Sequence, residues 1–266
     1  MTSVAVVGHV EWVDFAPVPR FPRPGEVVHA LEAIAQAGGG GAVAAVVLSE
    51  LGAEVDFFTA LGDDGLGRAA AAQLAERGVR PHVAWREEPT RRALTLLDDK
   101  RERTIITIGE RLQPVGADEL EWERLQNAGG VYFTAGDAGA LVHARQAHKV
   151  VASPRAREAL QSEGPAIDAL VFSAGDRDER EWADRVARRT RLLVATDGAD
   201  GGRWWGESQG RWGATPLPSE PRDAYGCGDS FAAGFTFGLA AGFSVSEASE
   251  LGARCGARCL TRVGAP

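Results

Sequence analysis

The segment from Arg222 to Gly242 holds the residues best suited to chemistry. Gly226, Cys227 and Gly228 stand directly before Asp229 and Ser230, and Phe231, Ala232, Gly234, Phe235, Gly238 and Ala241 continue as a helical pattern with a small-residue face. Glycines let backbone N–H groups converge, and a helix N-terminus adds roughly half a positive charge. Such a turn suits a transferring phosphoryl group, whose oxygens gain negative charge. A carboxylate at Asp229 beside it can take the proton of an attacking hydroxyl. The plainer alternative makes Asp229 an ordinary helix N-cap and the glycines a tight loop. A second acid nearby, Asp223, weighs against it.

Two further glycine-rich stretches accompany this one. Gly38, Gly39, Gly40 and Gly41 precede an apolar run of helical length over residues 42–51, where a ligand could approach the backbone. Gly39-x-Gly41-x-x-Ala44 alone also passes for a dinucleotide loop, but residues 31–37 before it lack the buried-strand pattern such a loop needs. Thr196, Gly198 and Gly201 form the other stretch, after an apolar run over 192–195. Near the N-terminus Glu11 and Asp14 are candidate hydroxyl-binding acids, and strand alternation puts them on opposite faces unless the chain bulges. His9 offers a donor, and Trp12 a stacking surface or, more plainly, a packed core ring.

The elements that must position these residues are legible as alternation. Short runs rich in β-branched residues at 4–7, 55–59, 131–134, 169–172 and 192–195 are separated by helical patterns. That predicts an α/β fold, a mostly parallel sheet covered on both faces, within one domain over residues 1–266. Residues 14–33 and 80–108 break the pattern. Within the first, residues 24–31 follow a Pro-rich turn at 17–24, and the second reads as a hairpin through a charged turn at 99–102. These strands form either a small lid over a site or an edge of the main sheet.

A formal net charge of −8 argues against nucleic acid or an anionic membrane as partner and leaves a small molecule as the default ligand. Three cysteines fit a reducing cytoplasm better than a disulfide framework. Cys255 and Cys259, four apart without further ligands nearby, read as packed thiols. The longest apolar run, 231–243, is too short and glycine-rich to span a bilayer.

Asp223-Ala-Tyr-Gly226-Cys-Gly228-Asp229-Ser-Phe231 resembles the C-terminal signature of the ribokinase-like, or PfkB, carbohydrate kinases, Asp-Thr-x-Gly-Ala-Gly-Asp-x-Phe. The glycine run with Leu51-Gly52 and residues 61–67, the turn Pro24-Gly25-Glu26, the loop 196–201 and residues 261–265 resemble further family segments in the same order. The resemblance implies a three-layer sandwich with a small β lid, and an ATP-dependent transfer of the γ-phosphate to a hydroxyl of a small sugar. It implies Asp229 as base and the backbone of Gly226, Cys227 and Gly228 as anion hole. Nucleotide contacts would fall on Thr196, Gly198, Gly201, Asp223 and Ala253, and acceptor contacts on Glu11, Asp14, Gly38, Gly39, Gly40, Val43 and Asp229. ATP and Mg²⁺ would bind, with a monovalent cation as a further candidate, and two copies would pair through lid strands carrying Leu94, Leu96, Ile105 and Ile106.

The sequence also departs from the pattern. Counting back eleven residues from Pro24, to where the family carries a hydroxyl-binding Asp, reaches Val13, and Val43 stands where many sugar kinases have an Asn. The Asn-x-x-Glu element aligns with Ser173 and Asp176, both shorter, so Mg²⁺ would be held through water by Asp176. The alternatives are a nucleoside or hydroxymethyl-heterocycle kinase, for which Trp12 and Phe15 would suit a planar ring, and a non-catalytic ligand-binding protein on the same fold.

Overall fold

The computed structural model describes residues 2–99, 102–161 and 164–266. In chain order the elements are β1 (Ser3–Val7), β2 (Glu11–Pro17), β3 (Ile34–Gly38), α1 (Gly40–Glu50), β4 (Glu54–Gly62), α2 (Gly65–Glu76), β5 (Val79–Arg86), β6 (Arg92–Leu97) and β7 (Arg103–Ile108). Then follow β8 (Gly130–Phe133), α3 (Ala138–Ala144), β9 (Val150–Ala152), α4 (Arg157–Gln161), β10 (Ile167–Ser173), α5 (Arg177–Val186) and β11 (Thr190–Thr196). The hairpin β12 (Gly202–Gly206) and β13 (Gly210–Trp212) precedes the closing helices α6 (Cys227–Ala240) and α7 (Val245–Leu260).

Nine strands form the central sheet in the order β13-β12-β11-β10-β9-β8-β1-β4-β5, parallel except at the β12 and β13 pairings. Alternation along β1 shows how the sheet divides the core. Val4 and Val6 pack towards α1, α2 and α6, whereas Ala5 and Val7 pack towards α3 and the helices after β9. Helices therefore cover both faces, which makes three layers.

A second sheet, β3-β2-β6-β7, forms the lid, with β2 and β6 parallel and its other pairs antiparallel. Two details differ from the lid intervals expected from sequence. Residues 79–86 join the central sheet as β5, because the tight turn at Gly78 (φ 77°) returns the chain from α2 to pair beside β4 in a parallel crossover. The lid's β3 begins only at Ile34, and the Ala-rich, half-exposed character of this edge strand hides it from pattern reading. The hairpin β6–β7 forms as expected; Lys100 and Arg101 of its turn lie outside the described residues.

The lid rests on its own small core of Val13, Phe15, Val43, Ala93 and Tyr225. Phe15 meets Tyr225 edge to face at 5.0 Å, and Gln36 Nε2 donates to the Ala265 carbonyl at 3.1 Å. Asp64 caps α2, accepting from Gly67 N–H at 2.7 Å, and also accepts from Thr90 N–H at 2.7 Å in the segment between β5 and β6. Among the described residues no helix is long and apolar enough to cross a membrane.

Candidate active site

The site gathers where the parallel strands end, the usual place for ligands in open α/β sheets. Helix α6 begins there. Its N-cap is Gly226 in the left-handed region (φ 75°), and no side chain caps it. The reading of Asp229 as an ordinary cap therefore fails. Its Oδ1 instead accepts the Tyr132 O–H at 3.0 Å, from the end of β8. Opposite lies Gly40, the first residue of α1, where an added Cβ would sit 2.7 Å from Asp229 Oδ1. A side chain at that position would press on the Asp229 carboxylate. Behind α6, Trp204, Trp212, Phe231 and Phe235 stack in succession at 5.2–6.2 Å and hold the helix against the β12–β13 hairpin.

On the lid side, Gly39 (φ 87°) donates its N–H to the Tyr225 hydroxyl at 2.7 Å. That hydroxyl also lies beside Glu11, the buried first residue of β2. Burial raises the Glu11 carboxyl above the usual carboxylate range, with Arg91, 3.3 Å away, and then Arg111 and Arg155 opposing it. His9 is lowered well below the ordinary imidazole value, by burial first and by Arg111 next, and so is neutral at pH 7. Its Nδ1 accepts from Arg111 Nη2 at 2.8 Å, which leaves the proton on Nε2, beside Gly39. Asp14 falls outside this group: it stands on the other face of β2, where Arg92 pairs with it at 3.1 Å. Trp12 is partly buried against the main core, and Phe15 is 2% exposed.

A cleft of about 470 Å³ opens alongside, lined among others by Arg111, Arg155, Asp176, Glu179 and Trp182. Asp176 caps α5 by accepting from Glu179 N–H at 3.1 Å, and Glu179 Oε2 takes the Ser173 N–H at 2.8 Å. Burial raises the Glu179 carboxyl, while the Asp229 carboxylate raises Arg155. Ser173 pairs in register with Thr196, which brings the loop with exposed Gly198 (φ 52°) and buried Gly201 (φ 93°) to the same edge.

These features invite comparison with known proteins. The sequence model of the pfkB family carbohydrate kinases matches residues 1–150 and 166–266. The chain belongs to that family. The kinase is 29% identical over 283 residues to an ATP-dependent ribose-1-phosphate kinase of Halopiger xanaduensis, covering 100% of this chain and 94% of the relative. It is 30% identical over 244 residues to fructoselysine 6-kinase of Shigella flexneri, covering 85% of this chain and 91% of the relative. In structure it is similar to Arabidopsis thaliana ribokinase complexed with ribose and ATP, at TM-score 0.80 and 21% identity, covering 100% of this chain and 95% of the other. A Methanocaldococcus jannaschii nucleoside kinase superposes at TM-score 0.76 and 16% identity, covering 100% of this chain and 93% of the other. These last two show the shared ribokinase-like fold.

Several motif residues serve the turn before α6 through packing and hydrogen bonds. Asp223 is 4% exposed, and its oxygens accept from Tyr225 N–H, Gly264 N–H and Arg103 Nη1 at 2.9, 3.1 and 3.4 Å. It therefore ties the lid and the closing segment to the turn before α6. Val43 is buried too, and packs directly under Gly226, where it shapes the turn. Ala253 lies on α7, half-buried against the core behind α6. Cys259 is buried and donates its S–H to the Tyr225 carbonyl at 3.1 Å. Arg91, Arg111, Arg155, Tyr132 and Glu179 were missed from sequence. For Glu179 a signal existed, since it lies one helical turn beyond Asp176 at the same helix start.

Proposed function

We propose that this carbohydrate kinase transfers the γ-phosphate of ATP to a hydroxyl of a small sugar, with Asp229 taking the hydroxyl proton. The observation that carries the reading is the meeting at Asp229: the carboxylate stands in the first turn of an uncapped helix, fixed by Tyr132 and closely roofed by Gly40. The first-turn amides around Gly226, Cys227 and Gly228 hold the phosphoryl oxygens as their charge grows. Glu11, with His9 and the backbone of Gly38 to Gly40, orients the acceptor hydroxyls, and closure of the lid excludes water. Thr196, Gly198 and Gly201 line the nucleotide's approach, and Arg155 faces the phosphates. The packing of Trp12 and Phe15 favours the sugar reading over the nucleoside reading.

Among the described residues no cluster of three or more metal-ligating side chains exists. That suits Mg²⁺, which keeps several waters and binds through one or two carboxylates together with substrate phosphates. Asp176 and Glu179 are the two hard-oxygen groups on the cleft wall that fit this role. The ion would neutralise charge on the β- and γ-phosphates.

The test is ADP release on a panel of neutral, phosphorylated and acidic sugars. At least one sugar is expected to stimulate release well above the ATP-only rate, and a panel in which none does would leave a ligand-binding protein. The reading extends to a homodimer through β7, whose Ile105, Ile106 and Ile108 are exposed on the lid's outer edge. A single monomeric species in sedimentation at high micromolar concentration would remove that extension.

A further inference from the structure

Three guanidinium groups converge on the site around His9 and Glu11. Arg91 precedes β6, Arg111 follows β7 and Arg155 follows β9, and all three act electrostatically on both His9 and Glu11. Arg111 is the central one. Its hydrogen bonds run to the carbonyls of Thr134 and Arg155, each at 3.1 Å, and to neutral His9 Nδ1. None of these acceptors carries charge, and the Nε–H groups of both Arg91 and Arg111 are buried without a hydrogen-bond partner. Glu11 stands 3.3 Å from Arg91 Nε without hydrogen-bonding geometry.

The charge balance points the same way. Facing the three guanidinium groups are the carboxyls of Glu11, Asp229 and, on the Arg155 side, Glu179, and burial pushes both Glu11 and Glu179 towards their neutral forms. Crowding has a visible cost: burial, then Arg155 and Arg91, push Arg111 down to about 10. Buried charge of one sign is retained where a ligand of the other sign completes it. Guanidinium forks match oxyanions two bonds at a time, and unsatisfied Nε–H groups are the donors such a fork uses.

We propose that the acceptor is an anionic sugar, bearing a phosphate or a carboxylate that docks on Arg91 and Arg111. The inference rests on the kinase reading above and deepens it. Glu11 and neutral His9 then recognise hydroxyls, the two arginines anchor the anionic end, and Asp229 receives the hydroxyl between them and the anion hole. Arg155, nearest in effect to Asp229 and Glu179, remains on the nucleotide side.

The experiment measures kcat/KM and thermal shift for matched sets: ribose, ribose 1-phosphate and ribose 5-phosphate, then glucose, glucose 6-phosphate and gluconate. The phosphate and acid arms separate the two anion sources. An anionic member is expected to exceed its neutral partner, and Arg111→Gln or Arg91→Gln to lower kcat/KM for it by about 10- to 100-fold, the loss of a charge-assisted pair. The thermal shift given by ADP should persist in both variants, which also reports that they fold. Neutral sugars turned over as well as anionic ones, or an ADP shift lost while the anionic sugar still binds, would overturn the anionic acceptor and leave the kinase standing. If an anionic sugar binds through Arg111 but no panel member stimulates ADP release, the kinase reading falls instead.

Discussion

Asp229→Asn is expected to lower kcat by about 10²–10⁴-fold, the usual scale for a positioned general base, with ATP affinity close to that of the unsubstituted kinase. The substitution is well suited to the question because it separates chemistry from structure. An asparagine carbonyl can still accept the Tyr132 O–H that now reaches Asp229 Oδ1 at 3.0 Å, and it adds no bulk beneath Gly40. What it removes is the capacity to take a proton. Steady-state kinetics with calorimetric titration of ATP would separate the effects, and unchanged turnover would exclude Asp229 as base.

The second large effect is structural in origin. Gly226→Ala is expected to destabilise the fold by about 2–4 kcal/mol, because it places a side chain in the left-handed region (φ 75°) and its Cβ 2.9–3.0 Å from the Val43 methyls. For a chain of this size that corresponds to a fall in Tm of roughly 5–15 °C. Activity should fall further than stability, since the turn moves the amides at the start of α6. Pairing it with Val43→Ala relieves the contact but not the backbone strain, so the double variant should recover only part of the loss. A Gly226→Ala protein with unaltered melting would show that the turn is not held by this packing.

Local chemistry is what the sequence made legible. The Gly226–Asp229 turn, the strand runs of the central sheet and the β6–β7 hairpin are each specified within fewer than twenty neighbouring residues, so spacing and residue type suffice. Convergence across the fold is not of that kind. Arg91, Arg111 and Arg155 meet because one precedes a lid strand, one leaves the lid and one follows β9, and no short pattern links them. Tyr132 reaches Asp229 from ninety-seven residues away. For Asp223 and Val43 the motif position marks the turn before α6, and the fold adds what the motif does not carry: Asp223 ties that turn to the lid and the closing segment, and Val43 packs beneath it. Asp14 and Glu11 were separable in principle by strand alternation. The buried partners Tyr225 and Arg91 then select Glu11.

The central claim is that the γ-phosphate passes from ATP to an acceptor hydroxyl beside Asp229. It is tested most directly by ³¹P NMR of the kinase with ATP, Mg²⁺ and the best sugar from the panel, alongside the Asp229→Asn variant. A new phosphomonoester resonance should grow in step with ADP for the unsubstituted protein and far more slowly for the variant. Inorganic phosphate as the only new signal, or equal phosphomonoester formation by both proteins, would contradict the account.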